Sequence, residues 1–388
     1  MKYTLSDNTW DRREYQALES VIKSGFFSMG EKVQEFEVQF AKKFNSKYAI
    51  MSNSGSSANL LAIASLVYSK RLMAGDEVIV PSVSWSTTYF PLSQFGLKLK
   101  FVDIDLATLN IDVSKLEKAI TNKTKAIFAV NLLGNPNEFD KILNLCNEHN
   151  LILLEDNCES MGASYKGKQL GTIGLLGTFS TFYSHHICTM EGGVTVTDDE
   201  DLYHYMLSIR SHGWTRHLPK NSNIYEKKED EFYESFNFIM PGYNLRPIEM
   251  EGALGIEQLK KLDGIIDQRR KNAEYFINNI EGLKGFQTQN EIGESSWFGF
   301  AIILTEGNIG RRKELLKLLQ SKGIDVRPIV AGNFTRNKAI EYLDHEIYGE
   351  LKNADYIHDQ GFFVGNHSKP NYDKVDLLIE IFKEFNAS

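Results

Sequence analysis

An α/β fold built on a mainly parallel sheet is predicted by the recurrence of short, largely apolar strands at 48–51, 77–80, 98–102, 125–130 and 151–154. Helical patterns separate them, and strands covered by helices on both faces read as such continuous apolar runs. The length of 388 residues adds a third observation. It exceeds what one hydrophobic core supports, so two domains are expected: a large one over 1–250 and a smaller C-terminal α/β one over 251–388.

Residues 10–24 and 31–44 carry helical periodicity, with Phe36, Phe40 and Phe44 on one face of the second helix. A turn-rich loop, 24–30, joins them. The strand at 48–51 runs into Asn53-Ser54-Gly55-Ser56-Ser57-Ala58 and then a helical pattern. A strand, a Gly/Ser turn and a helix start make an anion site, because free backbone N–H groups and the positive helix end converge. The same residues also suit a plain N-cap.

The strand at 77–80 leads to 81–88, which contains Trp85, and the strand at 151–154 leads to Glu155-Asp156-Asn157-Cys158-Glu159. An indole after a strand suits core packing or stacking on a flat ligand. Ligands of parallel sheets gather at the strands' carboxyl ends, where Gly55, Trp85 and Asp156 all fall.

Residues 180–193 are expected to continue a strand through Tyr183, with Phe179, Thr181 and Tyr183 on one face, and to deliver His185 to a turn closed by Glu191-Gly192-Gly193. A second strand follows at 194–197. Taken alone, His185 and His186 read as ordinary strand histidines that face opposite sides and cannot share a metal. The polar stretch 217–240 reads as a solvated excursion. From 247 to about 283 one long helical pattern leads into a C-terminal α/β layer.

Composition narrows the classes. With 42% hydrophobic and 24% charged residues the chain is an ordinary globular protein, and a net charge of −8 argues against nucleic acid or an anionic membrane as partner. No apolar run resembles a signal peptide or reaches bilayer length, so the cytoplasm is expected. Cys146, Cys158 and Cys188, odd in number and far apart, suit free thiols in a reducing compartment.

As an ordered set, these motifs resemble the DegT-type nucleotide-sugar aminotransferases, pyridoxal phosphate enzymes of the aspartate-aminotransferase fold (PLP fold type I). Ser180 to Gly193 is similar to that family's S-F-x-x-x-K-x-x-x-x-x-E-G-G loop, with His185 where the family has its Schiff-base lysine. No lysine lies between Lys168 and Lys220 to replace it. Asn53 to Ala58 resembles the phosphate loop, Glu155 to Ala163 resembles E-D-x-x-Q-x-x-G-A, and Gly242 to Arg246 resembles G-x-N-x-R. Residues 101–105 and 133–136 match as well.

The resemblance implies roles for particular residues. Gly55, Ser56, Ser57 and Ser180 would hold the cofactor phosphate, Trp85 would stack on its ring, and Asp156 would face its pyridine nitrogen. Glu159 stands where the family has Gln, near the ring oxygen. Asn244 would reach the phosphate across a homodimer with shared sites. Ser184, Arg216 and Arg246 are candidate substrate contacts, since guanidinium binds carboxylate and phosphate in a bidentate way.

A histidine moves protons but cannot form the imine that lysine forms. That substitution marks a small branch of the family, the sugar 3-dehydratases. It implies pyridoxal phosphate held noncovalently, converted by glutamate to pyridoxamine phosphate, and removal of the C3 hydroxyl from a nucleotide-linked 4-keto-6-deoxy sugar in 3,6-dideoxysugar synthesis, with His185 as base and acid. The resemblance points to a GDP-linked sugar, while the residues leave the base and the sugar's length open. An iron–sulfur variant of this chemistry is disfavoured, because no cysteine follows Cys188. An aminotransferase that tolerates His, or a noncatalytic sensor of the same fold, remains as an alternative.

Overall fold

The apolar runs form the centre of a large sheet in the computed structural model, which describes residues 2–387. Its first seven strands are β1 (Tyr48–Ser52), β2 (Glu77–Pro81), β3 (Lys98–Val102), β4 (Thr124–Val130), β5 (Ile152–Asp156), β6 (Leu176–Ser180) and β7 (Gly193–Thr197). Five more follow: β8 (Phe286–Gln287), β9 (Gly299–Leu304), β10 (Val326–Arg327), β11 (His345–Ile347) and β12 (Gly361–Gly365). Strand β11 returns to the large sheet, which has eight strands among the described residues, in the order β1-β7-β6-β5-β4-β2-β3-β11. Only β7 runs against the others. The remaining four form an antiparallel sheet, β8-β9-β12-β10.

Helices α1 (Arg12–Ser24) and α2 (Glu31–Phe44) pack on α5 (Glu249–Leu259), while α3 (Gly55–Tyr68) and α4 (Ser86–Gln94) follow β1 and β2. The N-cap of α2 is Gly30, which has no side chain to offer. The carboxylate of Glu249 takes that role from α5, accepting from the N–H groups of Gly30, Lys32 and Val33 at 2.7, 2.9 and 3.1 Å. On the buried face of α2, Phe40 and Phe44 stack at 4.4 Å, and both rings meet Phe179 of β6 at 5.3 and 4.9 Å. Aromatic contacts of this kind contribute about 0.5–1.5 kcal/mol beyond area burial. They fix the strand that precedes His185.

The expected helix from 247 to 283 is two helices, α5 and α6 (Leu262–Ile280), and α5 spans position 250. At the break the Lys261 N–H closes on Gln258, three residues back, while its ammonium is drawn to Glu14 at 2.6 Å and Asp11 at 2.9 Å. Helix α6 and the final helix, Tyr372–Ala387, cover the smaller sheet around Phe276, Phe300 and Phe382. The stretch 217–240 is mostly exposed, as its charge suggests, and is pinned at one point. Glu234 is buried and accepts from Thr215 and Tyr225 hydroxyls, both at 2.8 Å.

Candidate active site

Strands β1, β2, β4, β5 and β6 end at one edge of the large sheet, and the candidate residues follow them. At the start of α3, Ser54 caps the helix by accepting from Ser57 N–H at 3.1 Å, and the Ser57 hydroxyl donates to Asn53 at 2.6 Å. Gly55 is buried against β6. A Cβ on it would lie 2.7 Å from Ser180 Cβ and 3.1 Å from Cys158 Sγ, so only glycine lets the helix end approach Ser180. The antiparallel β7 begins with the same requirement, since a Cβ on Gly193 would come to 2.2 Å from the Ser54 carbonyl.

Asp156 is the last residue of β5 and is 5% exposed. One carboxylate oxygen accepts from Asn59 of α3 at 2.9 Å and from Thr88 of α4 at 2.7 Å. The other accepts the Cys158 N–H at 3.1 Å. Asn59 is held in turn by the Thr178 hydroxyl at 2.5 Å, and Thr88 lies 2.8 Å from Ser84. The carboxylate is therefore aimed by two helices and a strand. Trp85, at the N-cap of α4, leaves 59% of its surface exposed rather than joining the core.

Glu159 is half-buried and accepts the Leu133 N–H at 2.9 Å. Burial and the nearby Asp156 push its carboxyl up to about 7. The Leu133 carbonyl accepts from Phe298 N–H at 3.0 Å, and the Phe298 ring sits 5.2 Å from the His185 ring. Glu159 and His185 are thus connected through two backbone segments distant in sequence.

His185 lies in an irregular loop, because β6 stops at Ser180 instead of running on to Tyr183. The chain closes on itself there: Thr181 N–H donates to the Gly192 carbonyl at 2.9 Å and Tyr183 N–H to the Met190 carbonyl at 3.1 Å. Met190 adopts φ +73° to allow it. Beyond His185, Cys188 is clamped from two sides, its N–H donating to Gln258 and its carbonyl accepting from the Trp10 indole, both at 3.0 Å. His185 and His186 do not face opposite ways as in a strand. Both rings lie against Phe298, with His186 buried and its Nε2 3.1 Å from the Ser296 carbonyl. Burial first, and the Arg269 guanidinium second, lower the His185 imidazole to about 4. It is neutral at pH 7, and its Nδ1 has no hydrogen-bond partner among the described residues.

Asn244, Arg246 and Arg216 gather elsewhere, around Trp214. The two guanidiniums lie 5.7 and 4.7 Å from its ring, and Arg246 Nε donates to Asn244 at 2.9 Å. One backbone bond, Asn53 N–H to the Leu245 carbonyl at 2.9 Å, ties this group to the phosphate-loop motif. Ser56 is exposed and Ser184 half-buried. Sequence reasoning missed Asn59, Thr178 and Phe298. Asn59 stands one helical turn beyond Gly55, a spacing that signals a shared face, whereas nothing in the sequence around Phe298 points to His185.

The sequence pattern of the DegT/DnrJ/EryC1/StrS aminotransferase family matches residues 8–383. The chain belongs to this family. Among family members, it is 55% identical over 387 residues to GDP-4-keto-6-deoxy-D-mannose 3-dehydratase of Escherichia coli O55:H7 (strain CB9615 / EPEC), covering 99% of this chain and 100% of that one. It is 54% identical over 388 residues to the Yersinia pseudotuberculosis protein of the same name, covering 99% of each. A crystal structure of GDP-4-keto-6-deoxymannose-3-dehydratase with a trapped PLP-glutamate geminal diamine superposes with a TM-score of 0.96 at 55% identity, covering 98% of this chain and 100% of that one. The fold is the aspartate-aminotransferase fold of these relatives.

The residues present fit pyridoxal phosphate. Gly55 brings a helix N-terminus against Ser180, Asp156 presents an anchored carboxylate, Trp85 leaves a flat apolar face open, and His185 retains an unpartnered ring nitrogen. This donor set matches a phosphorylated, cationic aromatic group.

Proposed function

We propose that the chain is a pyridoxal phosphate-dependent 3-dehydratase of GDP-4-keto-6-deoxy-D-mannose that uses glutamate as amino donor. One observation carries the reading: a lysine-free loop presents a neutral histidine, His185, at the position where the family's aminotransferases have lysine. When bound, the cofactor carries nitrogen from glutamate to the sugar ketone and acts as an electron sink.

The chain's own residues do the rest. Gly55, Ser56, Ser57 and Ser180 hold the phosphate, Trp85 covers the ring face, and Asp156, fixed by Asn59 and Thr88, holds a proton at the pyridine nitrogen. Glu159, poised near neutrality, shares a proton with the ring oxygen. His185 accepts a proton from carbon and returns it to the departing C3 oxygen, which leaves as water. An imidazole of low basicity is a strong acid once protonated, which suits expulsion of a hydroxyl. Glutamate ends as 2-oxoglutarate, and with no lysine to capture the product the nitrogen leaves as ammonia.

The same proposal makes the enzyme a homodimer with shared sites, with Asn244 reaching the partner's phosphate. Large apolar side chains, Phe26, Phe27, Tyr183, Tyr243 and Ile248, are each at least 37% exposed, which supports a covering subunit. Arg216, Arg246 and Ser184 contact substrate, the guanidiniums suiting diphosphate or carboxylate. Three free cysteines support a reducing compartment, the cytoplasm. The reading is tested by nitrogen balance: glutamate with keto sugar yields ammonia and 2-oxoglutarate in equal amounts, whereas an aminotransferase yields 2-oxoglutarate without ammonia.

A further inference from the structure

Arg269 of α6 is 1% exposed, and its hydrogen bonds go to two carbonyls rather than to a carboxylate: Phe298 at 3.1 Å and Trp297 at 3.4 Å. Its Nε has no hydrogen-bond partner among the described residues. The acid that acts on it through space, Asp7, is itself engaged by Ser368 N–H and hydroxyl at 2.8 and 2.6 Å. Burial lowers the guanidinium to about 10, so it remains charged at pH 7.

A buried cation without a paired anion is costly and is ordinarily replaced by an apolar residue or given a partner. Part of its use here is local. Trp297 sits at φ +47°, outside the sheet, and its carbonyl already accepts from the Asn366 amide at 2.9 Å, so it is the Phe298 carbonyl that needs the guanidinium as donor. Glutamine supplies such donors without charge, so the charge itself is unexplained by the backbone. Phe298, whose carbonyl the guanidinium holds, is the residue whose ring touches both His185 and His186.

We propose that Arg269 is a positioning residue for His185: through the Phe298 carbonyl and ring it fixes the imidazole in the site, and it sets an unpaired cation behind that ring. A cation disfavours a second cation nearby, so the base stays neutral and, once protonated, releases its proton readily. Arg269 from α6 is the charged group that acts on His185, His186 of the same loop is coupled to it, and the Phe182 backbone opposes the cation; Glu159 is linked to it only by way of Leu133 and Phe298. Burial acts in the same direction as Arg269, and charge-changing variants separate the two. The proposal rests on the proton-transfer role given to His185.

The test is a nitrogen-15 imidazole titration of cofactor-free protein, with the His185 signal identified by its loss in His185→Asn. In the unaltered chain His185 titrates well below the ordinary imidazole range of about 6.5. Arg269→Gln raises the midpoint by about one pH unit or more, and Arg269→Lys leaves it low. The acid limb of kcat/KM moves with it in the loaded enzyme. A folded Arg269→Gln protein with an unmoved His185 midpoint overturns the proposal, as does an ordinary midpoint in the unaltered chain. If Arg269→Gln does not fold, Arg269→Met makes the same comparison. A chain that folds with neither neutral residue overturns the proposal, since the cation then serves the fold. Failure of the reaction assignment is distinguishable, because it removes ammonia release without touching the titration.

Discussion

The Thr88 hydroxyl donates to the Asp156 carboxylate at 2.7 Å, joining the first turns of α4 to the end of β5. Through this bond the helix that carries Trp85 also aims the carboxylate proposed to face the pyridine nitrogen. Thr88→Val keeps the shape of the side chain and removes the donor. Hydrogen bonds to charged groups contribute about 1.5–3 kcal/mol. Pyridoxal phosphate affinity should fall about tenfold or more, measured by fluorescence titration. Unchanged affinity would show that Asn59 alone suffices to orient Asp156.

Gly55 offers a second prediction, because its missing side chain is what brings α3 against Ser180. Gly55→Ala forces a Cβ to within 2.7 Å of Ser180 Cβ and should cost about 1–3 kcal/mol of stability together with cofactor binding. Ser180→Gly in the same chain removes the nearest obstruction and leaves only the tight contact with Cys158 Sγ at 3.1 Å. The double variant should regain most of the melting temperature without regaining phosphate affinity, since the hydroxyl is gone. Recovery of both would mean that Ser180 does not contact phosphate.

Glu159 makes stability depend on pH in a definite direction. Its folded-state pKa, near 7, lies above the ordinary 4.5, so the folded chain binds more protons than the unfolded chain between those values. Stability is therefore lost as pH rises from about 4.5 to 7, and Glu159→Gln removes that loss. In the cofactor-free protein the variant should melt higher than the unaltered chain above pH 7, and the gap should close towards pH 4.5. An equal gap at every pH would place its cause outside ionisation. His185 contributes in the opposite direction, its stabilising effect being lost as pH falls from 6.5 towards 4.

Much of this was legible in the sequence for identifiable reasons. Strands β1 to β5 are apolar runs closed by turn residues, and Gly55, Trp85 and Asp156 stand where a parallel sheet places ligands. The sequence extends the strand through Tyr183, three residues beyond its end at Ser180, because Thr181, Phe182 and Tyr183 are good strand formers, while the turn that carries His185 is legible in Glu191-Gly192-Gly193. The course of that turn is set by Met190 at φ +73° and by clamps from Gln258 and Trp10, which are remote in the chain. Phe298 and Arg269 were invisible for the same reason: their proximity to His185 depends on how the second sheet docks, and short-range periodicity carries no information about that.

The central claim, that His185 commits the site to removing an oxygen rather than adding a nitrogen, is tested most directly by mass spectrometry of the sugar. The enzyme is given pyridoxal phosphate, glutamate and GDP-4-keto-6-deoxy-D-mannose. The account predicts a GDP-sugar that has lost the C3 oxygen and contains no nitrogen outside its guanine base. A product that retains the C3 oxygen and carries an amino group at C4 would contradict it.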